Sequence, residues 1–144
     1  MSVDPAPSVA CGRELRVVIV DDHARVRNAL TALLTTDPGI AVVGHATGET
    51  AVAVVQQRKP DVVLMDMAMP VIDGAAATRA LTGHGCDVPV LILTGRPDPE
   101  RIRVALEAGA LGFLTKDVEP DVLLTAVHSA ADGQWPPNGN PVSA

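Results

Sequence analysis

Reactive side chains recur at one kind of place in this chain, directly after a short apolar run. Asp21 and Asp22 follow residues 16–20, Asp66 follows 62–65, Thr94 follows 88–93 and Lys116 follows 112–115. Taken singly, each has a plain explanation. An Asp after such a run caps a helix or sits in a solvated turn, and a lone Lys is usually a surface cation. Three carboxylates, a hydroxyl and an ammonium at the ends of four runs are harder to explain that way. Clustered carboxylates repel unless a proton or a cation intervenes, and a set of oxygen ligands selects a hard divalent ion such as Mg²⁺, which takes few protein carboxylates. Held beside such an ion and Lys116, Asp66 would stay ionised and could attack phosphorus as a nucleophile. The ion, Lys116 and the Thr94 hydroxyl would then stabilise charge on the equatorial oxygens of the transferring group.

The elements that must position these residues are legible around them. The runs 16–20, 40–44, 62–65, 88–93 and 112–115 predict five strands, and stretches of helical period lie between them. Val26, Ala29, Leu30, Leu33 and Leu34 mark one face of a first helix over 24–35. Helices are expected at 50–58, at 74–81 with Asp73 as N-cap, and at 99–108, opened by Asp98-Pro99 and stopped by Gly109. A fifth begins near Pro120 and turns Leu123, Ala126, Val127 and Ala130 to one side. Such alternation predicts an α/β fold: a doubly wound three-layer sandwich, in which ligands bind beyond the carboxyl ends of the strands.

Length and composition agree with one such domain. The 144 residues suffice for a single core, and with no Tyr, one Phe and one Trp that core must be built from Val, Leu, Ile and Ala. The formal charge of −6 argues against binding a phosphate backbone, so no nucleic acid is expected as a partner of this chain itself. Cys11 and Cys86 lack metal-ligand spacing and read as free thiols. No apolar run approaches a membrane span and no signal-peptide pattern opens the chain, so no membrane association and a cytoplasmic location are expected. Residues 1–13 read as a disordered leader, 14–133 as the domain, and 134–144, rich in Pro and Gly, as a flexible tail or the start of a linker.

The combined pattern resembles the response-regulator receiver family over residues 15–133. Its signatures are Val17-Val18-Ile19-Val20-Asp21-Asp22-His23, the run from Pro60-Asp61 through Asp66 to Pro70 and on to Asp73-Gly74, Leu93-Thr94-Gly95, and Ala108-Gly109-Ala110 through Lys116. The resemblance implies a flavodoxin-like (βα)5 fold with strand order 2-1-3-4-5. It implies that Asp66 accepts a phosphoryl group from a sensor histidine kinase. By the same resemblance Asp22 ligates Mg²⁺ directly, Asp21 through water, and Asp66 and the Ala68 carbonyl complete the protein's share. Thr94 and Lys116 contact the phosphoryl group, and Thr94 with Phe113 forms the switch that repacks the fourth helix, fifth strand and fifth helix. A phosphorylation-dependent homodimer is among the implied partners.

Phe113 stands where the family often has Tyr, and Asp117 where Pro is frequent after the Lys. The stretch from Lys116 to Pro120, with the following helix, most resembles receivers of LuxR/NarL-class helix-turn-helix transcription factors. Two expectations follow for the whole protein. Either an output domain outside this chain binds DNA, or the receiver is free-standing and works through protein contacts. An aspartyl-phosphate phosphatase of the haloacid-dehalogenase type would want a second Asp at Ala68, and a nucleotide-binding sandwich would want a glycine-rich loop where Asp21-Asp22-His23-Ala24 stands. His23 and His45 read as loop or cap residues, and Met65, Met67 and Met69 as packing.

Overall fold

Short β-branched runs and longer helical stretches become five strand–helix pairs in the computed structural model, which describes residues 14–136. They are β1 Leu15–Val20, α1 Ala24–Leu34, β2 Ile40–Ala46, α2 Ala51–Arg58, β3 Val62–Asp66, α3 Gly74–Gly83, β4 Val90–Thr94, α4 Pro99–Glu107, β5 Gly112–Thr115 and α5 Pro120–Ala131. The sheet is parallel throughout with the expected order β2-β1-β3-β4-β5. The expected leader and residues 137–144 lie outside the described residues, as does Cys11.

Both faces of the sheet are covered, which is why the strands read as unbroken apolar runs without polar alternation. Val18, Val20, Val63, Met65, Val90 and Ile92 turn to one face, where Ala51, Val55, Ala77, Leu81, Ile102 and Ala105 of α2–α4 close over them. Val17, Ile19, Val62, Leu64, Leu91, Leu93 and Leu114 turn to the other, under Leu34 of α1 and Leu123, Ala126, Val127 and Ala130 of α5. Met65, Met67 and Met69 are buried in the first of these cores, as packing requires.

Element ends differ from expectation for identifiable reasons. β4 begins at Val90 and not at residue 88, because Pro89 has no amide hydrogen to give to the ladder, although its carbonyl accepts from Val63 N at 2.9 Å. β2 runs on to Ala46, carried by a register shift between Val17 and Val18 that leaves Val20 opposite Ala46. On α1 only Leu34 of the expected apolar face is fully buried, while Val26, Leu30 and Leu33 are half-buried and Ala29 is exposed. α4 starts as expected: Asp98 accepts from Glu100 N at 3.0 Å, and Pro99 occupies the first turn. No helix among the described residues is long and apolar enough to cross a membrane.

Candidate functional site: an acidic edge at the carboxyl ends of the strands

Strand order reverses beside β1, because β2 lies on one side of it and β3 on the other, and in such folds ligands bind at the carboxyl edge beside that point. Asp21 follows β1, Asp66 ends β3, Thr94 ends β4 and Lys116 follows β5, so the topology brings all four to that edge. The Lys116 amide donates to the Thr94 carbonyl at 2.8 Å and the Met67 amide to Leu93 O at 2.9 Å, which fixes the strand ends against one another. The Lys116–Asp117 peptide is trans.

Asp66 is nearly sealed from solvent, and its Oδ1 lies 2.8 Å from Lys116 Nζ. That atom meets no hydrogen-bond donor at a good angle, so the attraction is chiefly ionic. Lys116 also reaches toward Asp21 Oδ2, at 3.9 Å, and keeps 37% of its own side chain exposed. Burial pushes the Asp66 carboxyl above its ordinary value. Lys116 and the Ala68 amide pull it back, and the charge on Asp21 adds to the rise. The edge therefore holds more negative charge than its one ammonium neutralises.

Asp21 is buried and oriented by its neighbours. Its Oδ1 accepts from the His23 amide at 2.8 Å, while Arg27 Nη1 donates to its carbonyl at 2.6 Å. Asp22 is half-buried and its Oδ1 accepts from the Gly48 amide at 3.3 Å. Ala68 is exposed on the loop after β3. Among the described residues no three His, Cys, Asp or Glu side chains are drawn together closely enough to hold an ion as they stand. Asp21 and Asp66 meet through Lys116, whereas Asp22 is turned aside to Gly48. The chemistry still fits Mg²⁺: every donor is oxygen, a buried carboxylate oxygen lacks a hydrogen bond, and the weak Asp22–Gly48 contact costs little to exchange.

Thr94 is buried, and its hydroxyl donates to Arg96 O at 2.8 Å and accepts from Arg96 N at 3.2 Å. Phe113 is half-buried against the core beneath α2–α4. His23 is the N-cap residue of α1, making no side-chain cap bond. His45 departs from expectation: it stands in β2, with Nε2 2.8 Å from Thr31 Oγ1, because β2 runs past it.

Two glycines that shape the site, Gly74 and Gly48, carried no assigned role in the sequence, whereas Asp73 was expected as a cap. A Cβ on Gly74 would come within 2.5 Å of the Asp66 carbonyl oxygen and 2.9 Å of Met67 Cα, so only glycine lets α3 start this close to β3. Asp73 caps that start by accepting from Ala76 N at 2.8 Å. Gly48 likewise lies too near Ile72 O, 2.7 Å from a built Cβ, to tolerate a side chain without movement. The Asp73-Gly74 pair was a usable signal, but nothing local marked Gly48 or Arg27.

Residues 17–128 match the model of the response regulator receiver domain. The chain belongs to this family. Curated relatives of the receiver include the transcriptional regulatory protein DegU of Brevibacillus brevis, 38% identical over 121 residues that make up 83% of this chain and 51% of DegU. LiaR of Bacillus subtilis is 35% identical, covering 83% of this chain and 57% of LiaR, and the response regulator UvrY of Escherichia coli K12 is 39% identical, covering 83% and 56%. The chain thus spans about half the length of the curated relatives it matches. Among solved structures, the receiver domain of NarL from Mycobacterium tuberculosis superposes with TM-score 0.80 at 33% identity, covering 85% of this chain and 99% of that one. A LuxR-family two-component regulator from Aurantimonas gives 0.79 at 33% identity, covering 84% and 87%.

Proposed function

We propose that this receiver is the phospho-acceptor of a two-component system, taking a phosphoryl group onto Asp66 from a phosphohistidine of a sensor kinase in the cytoplasm. The observation that carries this reading is the Asp66 carboxylate, buried at the end of β3 and 2.8 Å from the Lys116 ammonium. In the transfer a carboxylate oxygen of Asp66 forms a bond to phosphorus as the phosphorus–nitrogen bond breaks, and the imidazole leaves with the electron pair. Lys116, 2.8 Å from Asp66, would neutralise phosphoryl oxygens, and the Thr94 hydroxyl, bonded to Arg96 O without phosphate, would donate to one. Asp21, Asp22, Asp66 and the Ala68 carbonyl are the residues that would hold Mg²⁺. That ion supplies positive charge to the oxygens of the transferring group.

Release of the Thr94 hydroxyl from Arg96 leaves room for Phe113 to repack, and the α4–β5–α5 face changes as a two-state element biased by a local charge. The readout of that face is a changed homodimer or partner contact. For the whole protein, relatives about twice as long that are named transcriptional regulatory proteins support control of a DNA-binding output domain outside this chain. With its charge of −6 the chain itself is assigned no DNA contact.

Mass spectrometry after incubation with acetyl phosphate and Mg²⁺, with and without hydroxylamine, tests the assignment. The expected result is one hydroxylamine-labile phosphoryl adduct, absent in Asp66→Asn. A stable adduct, or wild-type labelling of Asp66→Asn, would overturn it.

A further inference from the structure

The chain leaves α5 along a path that its own hydrogen bonds fix. Gly133 takes φ 74°, the Gln134 amide donates to Ser129 O at 2.9 Å and the Gly133 amide to Ala130 O at 2.9 Å. These are the paired bonds of a helix stop closed by a left-handed glycine. The reversal brings Trp135 back onto the sheet. A Cβ built on Gly112, the first residue of β5, would lie only 2.3–2.5 Å from the indole atoms Cε2, Nε1 and Cδ2. The ring therefore rests on the strand backbone with no side chain between them. It is half-buried against the core shared by α1 and α5.

The next residue is Phe113, which packs into the opposite core, beneath α2–α4. The two residues pair with neighbouring positions of β4, Gly112 with Leu91 and Phe113 with Ile92. One short strand thus carries a half-buried aromatic on one face and the seat of the chain's exit on the other. Where a side chain intervenes, its rotation can absorb a small backbone shift. Here the indole touches the backbone itself, so displacement of β5 is passed on directly.

We infer that Trp135 is a latch: its indole, seated on Gly112, ties the exit from α5 to β5, so that repacking at Phe113 loosens the seat and releases Trp135 from the strand. The trigger rests on the phospho-acceptor reading above, while the seat does not. Coupling of this kind needs a two-state element that both ends bias, and β5 is that element.

Trp135 is the chain's only Trp and there is no Tyr, so indole fluorescence reports this contact alone. The full 144-residue chain is compared as wild type, Gly112→Ala, Gly112→Val and Phe113→Ala, by acrylamide quenching and emission maximum. Circular dichroism confirms folding, and mass spectrometry reads the phosphoryl adduct in the same samples. Both Gly112 variants are expected to raise quenching severalfold and shift emission to the red without phosphate; the milder Ala variant keeps the test valid if Val impairs folding. Acetyl phosphate with Mg²⁺ is expected to move wild type the same way, while Phe113→Ala carries the adduct without the change. Unchanged quenching in a folded Gly112 variant overturns the seat, and unchanged quenching in adduct-bearing wild type overturns the latch alone. Absence of any adduct overturns the phospho-acceptor reading together with the trigger.

Discussion

Asp66 is under two opposed demands, because burial favours its neutral form whereas a nucleophile must be charged. One ammonium at 2.8 Å, itself partly solvated, does not cancel the burial and the neighbouring charge on Asp21. An ionised Asp66 is therefore a cost to the metal-free fold, and Asp66→Asn, which keeps the shape and drops the charge, is expected to raise stability at neutral pH. Lys116 is exposed enough to remain solvated after that change. Denaturant midpoints of the two chains at pH 7 without divalent ion check this, and a lower midpoint for Asp66→Asn would mean that the ion pair outweighs the desolvation. Added Mg²⁺ is expected to stabilise wild type and to narrow the gap. The residues in this balance were legible in the sequence because each ends an apolar run and the fold class says that such ends converge. Arg27 and Gly48 were not, since their roles lie in contacts made with or through the backbone, Arg27 to the Asp21 carbonyl and Gly48 by its amide to Asp22 and its close approach to Ile72, and no spacing displays such contacts.

At the scale of elements, the site depends on how closely α3 can start beside the end of β3. Gly74 donates its amide to Met67 O at 2.9 Å and presents no Cβ to the Asp66 carbonyl. Gly74→Ala drives a methyl group against backbone that cannot rotate away, a form of overpacking that costs about 1–3 kcal/mol. The same displacement moves Asp66, so slower labelling by acetyl phosphate is expected along with the lost stability. Unchanged values of both would show that the close approach is not needed. Asp73→Ala, which removes the cap and a long, exposed ion pair with Arg101 at 3.9 Å, should cost about 1 kcal/mol and leave labelling nearly intact. Element existence was readable from the alternation of apolar runs and helical period, while the strand order came from what the family resemblance implies. Their ends were less so: Pro89 looked like part of a run, and β2 grew by a register shift that arises only when β1 lies beside it. The half-exposed face of α1 was also hidden, because periodicity gives a helix's apolar side but not how much of it a neighbour covers.

For the molecule as a whole, three titrations with different signs shape the dependence of stability on pH. His45 is held below its ordinary value of 6.5, by burial first and then by Arg27, so its contribution is full above 6.5 and is lost as pH falls through the lowered value. Asp37 is held below 3.8, mainly by its hydrogen bond to His128 at 2.8 Å across the gap between the α1–β2 turn and α5; its contribution is present above 3.8 and lost as pH falls further. Asp66 runs the other way. With its carboxyl raised above 3.8, the penalty of ionisation is full above the raised value and disappears as pH falls to 3.8. Acidification from neutrality to about pH 4 thus removes one stabilising and one destabilising contribution, and further acidification removes the second stabilising one, so only comparison of variants separates them. The stability gap between Asp66→Asn and wild type is expected to stay full down to the raised value and then to shrink as pH falls on toward about 4. For His45→Gln against wild type, the gap should change most just below pH 6.5, and Asp37→Asn should differ in slope only below about pH 4. Urea unfolding of the four chains across this range, without divalent ion, reads all three; an Asp66→Asn gap that stays constant down to pH 4 would mean that the buried carboxylate is not raised.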